Sequence, residues 1–145
     1  MPADTLNLYF KPLFKTGRWV LKRVPMIASV AIQAGQAIYA VGDGTHTVVT
    51  NETANFKGIL MEDILAADAD YAVSMKLKYV AVPMSPAAEA EFAVGAGTFT
   101  LADLGKSVKF NDSLGLAVDT AGTQASILRY LTSTRGVCKF NLAIS

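Results

Sequence analysis

The chain has 145 residues, 52% of them hydrophobic and 17% charged, with 13 basic and 12 acidic side chains leaving a net charge of +1. That length holds one domain, or two very small ones, with a real core, and the composition excludes a disordered chain. The near-neutral balance excludes a general pull toward nucleic acid or anionic membrane. A single cysteine, Cys138, excludes an intramolecular disulfide and a Cys-rich zinc site.

A surface this poor in charge is often covered by a partner. The charges are also unevenly spread. Lys11, Lys15, Arg18, Lys22 and Arg23 crowd the start of the chain, against Asp4 alone. Asp43, Glu52, Glu62, Asp63, Asp68 and Asp70 crowd the middle, against Lys57 alone. The pattern fits either two solvated faces or a basic end that meets an acidic middle on a neighbouring copy. No stretch approaches the roughly 18 apolar residues of a membrane span. The first residues lack the basic and apolar regions of a signal peptide. The expected location is the cytosol, or a particle assembled there.

Residues 1–16 read as an N-terminal arm, too short and proline-interrupted to fold alone. The arm carries Leu6, Leu8, Tyr9, Phe10, Leu13 and Phe14. Burying each is worth about 1.5–3 kcal/mol, so the arm packs on its own domain or on a partner. These six, with Arg18 and Trp19, are the candidate partner-binding residues. Trp and Arg dominate protein–protein hot spots, although a lone Trp serves equally as a core residue.

Residues 17–145 read as a single β-rich domain. Expected strands are GRWVLKRV (17–24), stopped by Pro25, then MIASVAI (26–32) and QAIYAV (36–41). Gly42-Asp43-Gly44 signals a hairpin, because glycine accepts positive φ, and THTVVT (45–50) is its return strand. FKGILM (56–61) has the doubly apolar pattern of a buried strand. Over residues 71–83, Tyr71, Val73, Met75, Leu77 and Tyr79 alternate with Ser74, Lys76 and Lys78, which predicts the apolar set inward and the lysines outward. The Ala-rich stretch 84–97 fits a loop or short helix. Thr100, Asp103 and Gly105 have the spacing of a capped helical turn. KSVKF (106–110), SLGLAV (113–118), QASILRYL (124–131) and GVCKFNLAIS (136–145) complete the strands, the last with Cys138, Phe140, Leu142 and Ile144 inward.

About ten short strands, with helical turns confined to 63–69 and 100–104, predict an all-β fold: an antiparallel sandwich or barrel-like module. A weak duplication of two halves is hinted at by three echoes. Val24-Pro25-Met26 recurs at Val82-Pro83-Met84, Gly35-Gln36-Ala37-Ile38 resembles Gly105-Lys106-Ser107-Val108, and Ile59-Leu60 recurs at Ile127-Leu128. Their unequal spacings require an insertion.

Catalytic chemistry is thin. His46, the only histidine, has no second histidine to share a metal. Cys138 falls on an apolar strand face with no cation to activate it. Glu62, Asp63, Asp68 and Asp70 offer carboxylates for Ca²⁺, but without EF-hand spacing. Gly42-Asp43-Gly44 and Gly95-Ala96-Gly97 lack the Lys-Ser/Thr of a phosphate loop. The reading is a non-enzyme with no catalytic, cofactor-binding or metal residues and no cofactor.

Gly35–Val41, the Gly42-Asp43-Gly44 turn, Gly58-Ile59-Leu60, the acidic stretch Glu62–Asp70 and the strand Tyr71–Pro83 follow one another in an order that resembles the head-decoration (cement) proteins of tailed phages. Phe99-Thr100-Leu101-Ala102-Asp103-Leu104-Gly105-Lys106 resembles a turn of phage structural β-modules. The likeness spans residues 26–142 and is topological and compositional. It implies a virion protein on the capsid surface, a homo-oligomer with a trimer preferred, bridging subunits of the major capsid protein, with no nucleic-acid or membrane partner. Two alternatives stay open: another phage structural β-module, such as a head–tail connector, tail or fibre-base protein, and a small-ligand-binding β-barrel.

Overall fold

A computed structural model describes residues 9–16, 18–50 and 56–141. Eleven strands run through them: β1 (Lys11–Pro12), β2 (Trp19–Met26), β3 (Ala37–Ala40), β4 (His46–Val48), β5 (Phe56–Leu60), β6 (Lys76–Pro83), β7 (Glu89–Ala96), β8 (Ser107–Asp112), β9 (Gly115–Ala121), β10 (Ala125–Thr132) and β11 (Arg135–Phe140). The only helical pieces among the described residues are two 3-10 turns, Phe14–Thr16 and Leu101–Asp103. The chain is all-β, as its alternating patterns and Gly/Asp turns predict.

The strands form two rings with one pairing scheme. In the N-terminal barrel β2 pairs with β6, β6 with β5, β5 with β3 and β3 with β4, all antiparallel; a parallel contact between β4 and β2 closes it. In the C-terminal ring β7 pairs with β11, β11 with β10, β10 with β8 and β8 with β9, again antiparallel, and a parallel β9–β7 contact closes it. Each ring takes five consecutive strands in the same order. β1 adds to the edge of β7 as a sixth strand.

Registers carry the correspondence to single residues. Leu60 faces Val80, which faces Lys22. Ile127 faces Cys138, which faces Ala90. Met26 meets His46 in the parallel contact of the first ring, and Val94 meets Leu116 in that of the second. Of the three sequence echoes, Gly35–Ile38 and Gly105–Val108 occupy matching positions. Ile59-Leu60 is matched one residue out of step, since Leu60 and not Ile59 corresponds to Ile127. Val24-Pro25-Met26 and Val82-Pro83-Met84 end strands that do not correspond.

One buried cluster fills the N-terminal barrel: Val24, Met26, Ile32, Ile38, Leu60, Ile64, Val80 and Val82. The other fills the C-terminal ring and continues into the junction between the two. There Phe10, Trp19 and Phe56 from the first half meet Phe110 and Phe140 from the second. Phe56 stacks on Phe140 at 4.5 Å between centroids, and the Trp19 and Phe140 rings are edge-on at 6.3 Å. Such pairs add to the area they bury, so the rings share one core rather than hang on a linker.

Several expectations are corrected. Pro25 does not stop β2. It lies in the strand opposite Leu77, and β4 joins β2 only at the next residue, Met26, so no ladder bond needs a Pro25 N–H. Residues 27–36 are turns with one isolated bridge, Ile32 to Ile64, and not a strand. Residues 63–69 hold turns and that bridge, without helix. The stretch 84–97, expected as loop or helix, contains a central strand. Ala90 and Phe92 point inward, while Glu89 and Glu91 pair with Arg129 and Arg135. Packing on two neighbours overrides the helical propensity of Ala and Glu. The turn at Thr100 forms as expected, with Asp103 accepting from the Thr100 N–H at 2.9 Å.

Candidate interface

β6 alternates with the expected period, but its two faces are exchanged. Lys76 is 6% exposed, whereas Leu77 is 44% and Tyr79 50% exposed. The Lys76 ammonium donates to the carbonyls of Ile27 (2.7 Å), Tyr71 (3.0 Å) and Val73 (3.3 Å). It thereby satisfies the turns that close this part of the barrel, and burial lowers its pKa. Lys78 forms an ion pair with Asp70 at 3.0 Å. Two lysines thus take the side of the strand that carries Val80 and Val82, because local carbonyls and a carboxylate receive them.

The outward side is therefore apolar. Leu77 and Tyr79 continue across β2 to Leu21, which is 53% exposed, and Arg23 lies over the Tyr79 ring at 5.8 Å. Val73 and Met75 extend the exposed apolar set beyond the strand. Further along the same face, Ala81 is fully buried in the shared core. One row of side chains thus runs from the junction between the rings out into solvent. Met75 holds a φ of +68°, a conformation uncommon for its residue type, and a Cβ on Gly44 would meet its Cε at 3.4 Å.

The arm residues divide. Phe10 is fully buried in the shared core, β1 pairs with β7, and the Leu13 N–H donates to the Glu89 carbonyl at 2.9 Å. Trp19 is buried, its indole N–H donating to the same carbonyl at 2.8 Å. Phe10 and Trp19 are thus core residues of their own chain, not exposed docking groups. An aromatic ring inside a five-ring cluster has no face left for a partner. Tyr9 donates its hydroxyl to Gln33, Leu13 is half-buried, and Phe14 and Arg18 are exposed. Phe14 borders an open groove of about 520 Å³ that Lys11, Leu13, Lys15 and Arg129 also line. Leu6 and Leu8 lie outside the described residues. Residues 10–13 pair with and pack on the rest of their own chain.

The remaining candidates are engaged within the fold. His46 Nδ1–H donates to the Pro25 carbonyl at 2.8 Å, and burial lowers its pKa. Cys138 is completely buried and burial pushes its thiol up. Of the four carboxylates weighed for Ca²⁺ and set aside, Glu62 accepts from the Tyr79 N–H, Asp63 from Ala34 and Asp68 from Leu65, while Asp70 takes Lys78. They are dispersed among separate partners, and no metal-holding group of three occurs among the described residues. Gly42-Asp43-Gly44 makes the expected hairpin, with the Val41 N–H donating to Thr45 and Asp43 accepting from the Thr45 hydroxyl at 2.6 Å.

No protein-family model matches the chain, and no curated protein matches it in sequence.

The apolar row on β2 and β6 escaped sequence reading because alternation gives the period of a strand but not which face is dry. A usable signal was present for one of the two: Asp70, eight residues before Lys78, is the local partner that receives that lysine.

Proposed function

We propose that the chain is a structural virion protein that binds the outer surface of a phage capsid and stabilises it by bridging major capsid protein subunits, working as a homo-oligomer and preferentially a trimer. The observation that carries this reading is the exposed row Leu21, Leu77 and Tyr79 on the N-terminal barrel, with Lys76 withdrawn from the same strand. Contiguous apolar surface of this kind marks an interaction site. The order of strands and turns that resembles decoration proteins supplies the kind of partner. A bridging protein also benefits from a stiff body, and the aromatic junction between the two rings provides one. The trimer rests on the resemblance alone.

The test is binding of purified protein to expanded phage capsids stripped of decoration. The expected result is saturation at hundreds of copies per particle. The variants Leu77→Asp and Tyr79→Asp should bind at least tenfold more weakly with an unchanged melting temperature. A handful of copies per particle would point to a connector or tail protein. Full binding by both variants would reject this surface as the site.

A further inference from the structure

Two additions set the matching rings apart. Residues 133–134 are all that joins β10 to β11, whereas residues 61–75 join the corresponding strands β5 and β6. Closing a ring therefore does not need the longer connection, and a long connection on a rigid scaffold commonly carries a binding role. The other addition is β1 with the turn after it, laid on the edge of the C-terminal ring.

The two additions are complementary. The longer connection begins as a stiff turn. Ile64 is buried and exchanges two main-chain hydrogen bonds with Ile32. The Asp68 carboxylate accepts from the Leu65 N–H at 2.8 Å, and the Leu65 carbonyl accepts from the Asp68 N–H at 3.0 Å. Leu65, 49% exposed, and its exposed neighbours Ala66 and Ala67 are thus held out in solvent. Glu62, Asp63, Asp68 and Asp70 flank this apolar tip, and Lys76 and Lys78 offset two of the four charges. The β1 addition carries the open groove. Pro12, Leu13 and Phe14 give it an apolar lining, and Lys11, Lys15 and Arg129 line it as well. Glu89 offsets Arg129, while Glu91 is taken by Arg135. Each side keeps a surplus of two charges, of opposite sign.

We infer that the groove beside Phe14 takes the Leu65 turn of a second copy of this chain. Leu65, with Ala66 and Ala67, enters the apolar lining, and the flanking acids meet Lys11 and Lys15. An apolar lining favours a side chain over a bare anion, and the charges fix the orientation in which the turn enters. The turn is already held in shape, so little ordering opposes the contact. Leu65 is exposed and the groove open within one chain, so the contact joins two chains. It is heterologous, each copy offering a groove and a turn. It gives the proposed homo-oligomer a contact but needs no capsid, so either reading can fail while the other stands.

The test uses Leu65→Lys and Lys15→Glu, which change exposed side chains on opposite sides of the contact. Each variant should keep the wild-type circular dichroism and melting temperature. In sedimentation velocity the wild type should self-associate as its concentration rises, and each variant alone should do so at least tenfold more weakly. Mixed, the two should form a one-to-one dimer that grows no further, because the intact groove of one meets the intact turn of the other. A wild type that stays monomeric at its highest soluble concentration would overturn the inference. So would a folded variant that associates like the wild type, or a mixture that stays monomeric. A monomeric wild type whose Lys15→Glu variant loses capsid binding would also overturn it and assign the groove to the capsid. If a variant fails to fold, carbodiimide coupling of unlabelled with isotope-labelled wild type decides. Cross-links between chains from Lys11 or Lys15 to an acid of residues 62–70 are expected, and their absence would overturn the inference.

Discussion

Leu60 and Ile127 occupy the same place in the two rings, down to their hydrogen bonds. The Leu60 N–H donates to the Gln36 carbonyl at 3.0 Å, and the Leu60 carbonyl accepts from Gly35 at 2.8 Å. The Ile127 N–H donates to Lys106 at 3.0 Å, and its carbonyl accepts from Gly105 at 2.8 Å. Both side chains are fully buried, and both bonds depend on a glycine with positive φ, +97° at Gly35 and +86° at Gly105.

The two glycines should nevertheless respond differently to alanine. A Cβ on Gly105 meets open space, so only backbone strain opposes it, and Gly105→Ala should cost about 1–2 kcal/mol. A Cβ on Gly35 also crowds the Phe10 carbonyl and the Tyr9 side chain at 3.3 Å. Gly35→Ala should therefore cost more and loosen the N-terminal strand. Urea denaturation of both variants, with hydrogen exchange at Phe10, measures the difference.

Lys76→Met keeps an unbranched stem, one atom shorter, and removes the charge. Three carbonyls then lose the buried ammonium on which they converge, so the variant should lose about 1–3 kcal/mol of stability. If the ammonium were dispensable, chemical denaturation would show less than about 0.5 kcal/mol of change.

His46 sets a pH dependence. Burial lowers its pKa in the fold, so below the ordinary imidazole value the unfolded chain binds more protons than the native one. Its contribution is fully present above about pH 6.5 and declines as pH falls from there toward the lower, folded-state value. Leu116 holds the corresponding place in the other ring and does not titrate. His46→Leu should therefore flatten thermal stability between pH 6.5 and 5 relative to wild type.

Cys138 is buried with its thiol held protonated. Iodoacetamide should leave it unmodified in the native protein and label it fully in 6 M guanidinium, as mass spectrometry would record. Labelling under native conditions would show that β11 opens on its own.

Most of the fold was legible because strand period, glycine turns and the capped turn at Thr100 are local properties. What escaped was set by tertiary partners. Ala-rich β7 reads as loop or short helix until Val137 and Cys138 flank it. The lysines of β6 read as exposed until the carbonyls of Ile27, Tyr71 and Val73 converge on Lys76. The correspondence between the rings was half visible at Gly35–Ile38 and Gly105–Val108, but most matching positions differ in residue, as Lys22 and Ala90 or Leu77 and Arg135 do. The arm was recognised as needing cover. That Phe10 finds it on its own chain depends on Phe110 and Phe140, which lie far along the sequence.

In both rings the first strand pairs with the last, so neither closes until its final strand has been synthesised. The N-terminal barrel can close once Pro83 has left the ribosome. Trp19 and Phe56 must then wait for Phe140, in the last strand of the second ring, to cover their rings. A nascent chain halted between the rings therefore carries a finished barrel with an uncovered aromatic face. Truncation within β11 would leave that same face as a permanent handle for chaperones and proteases.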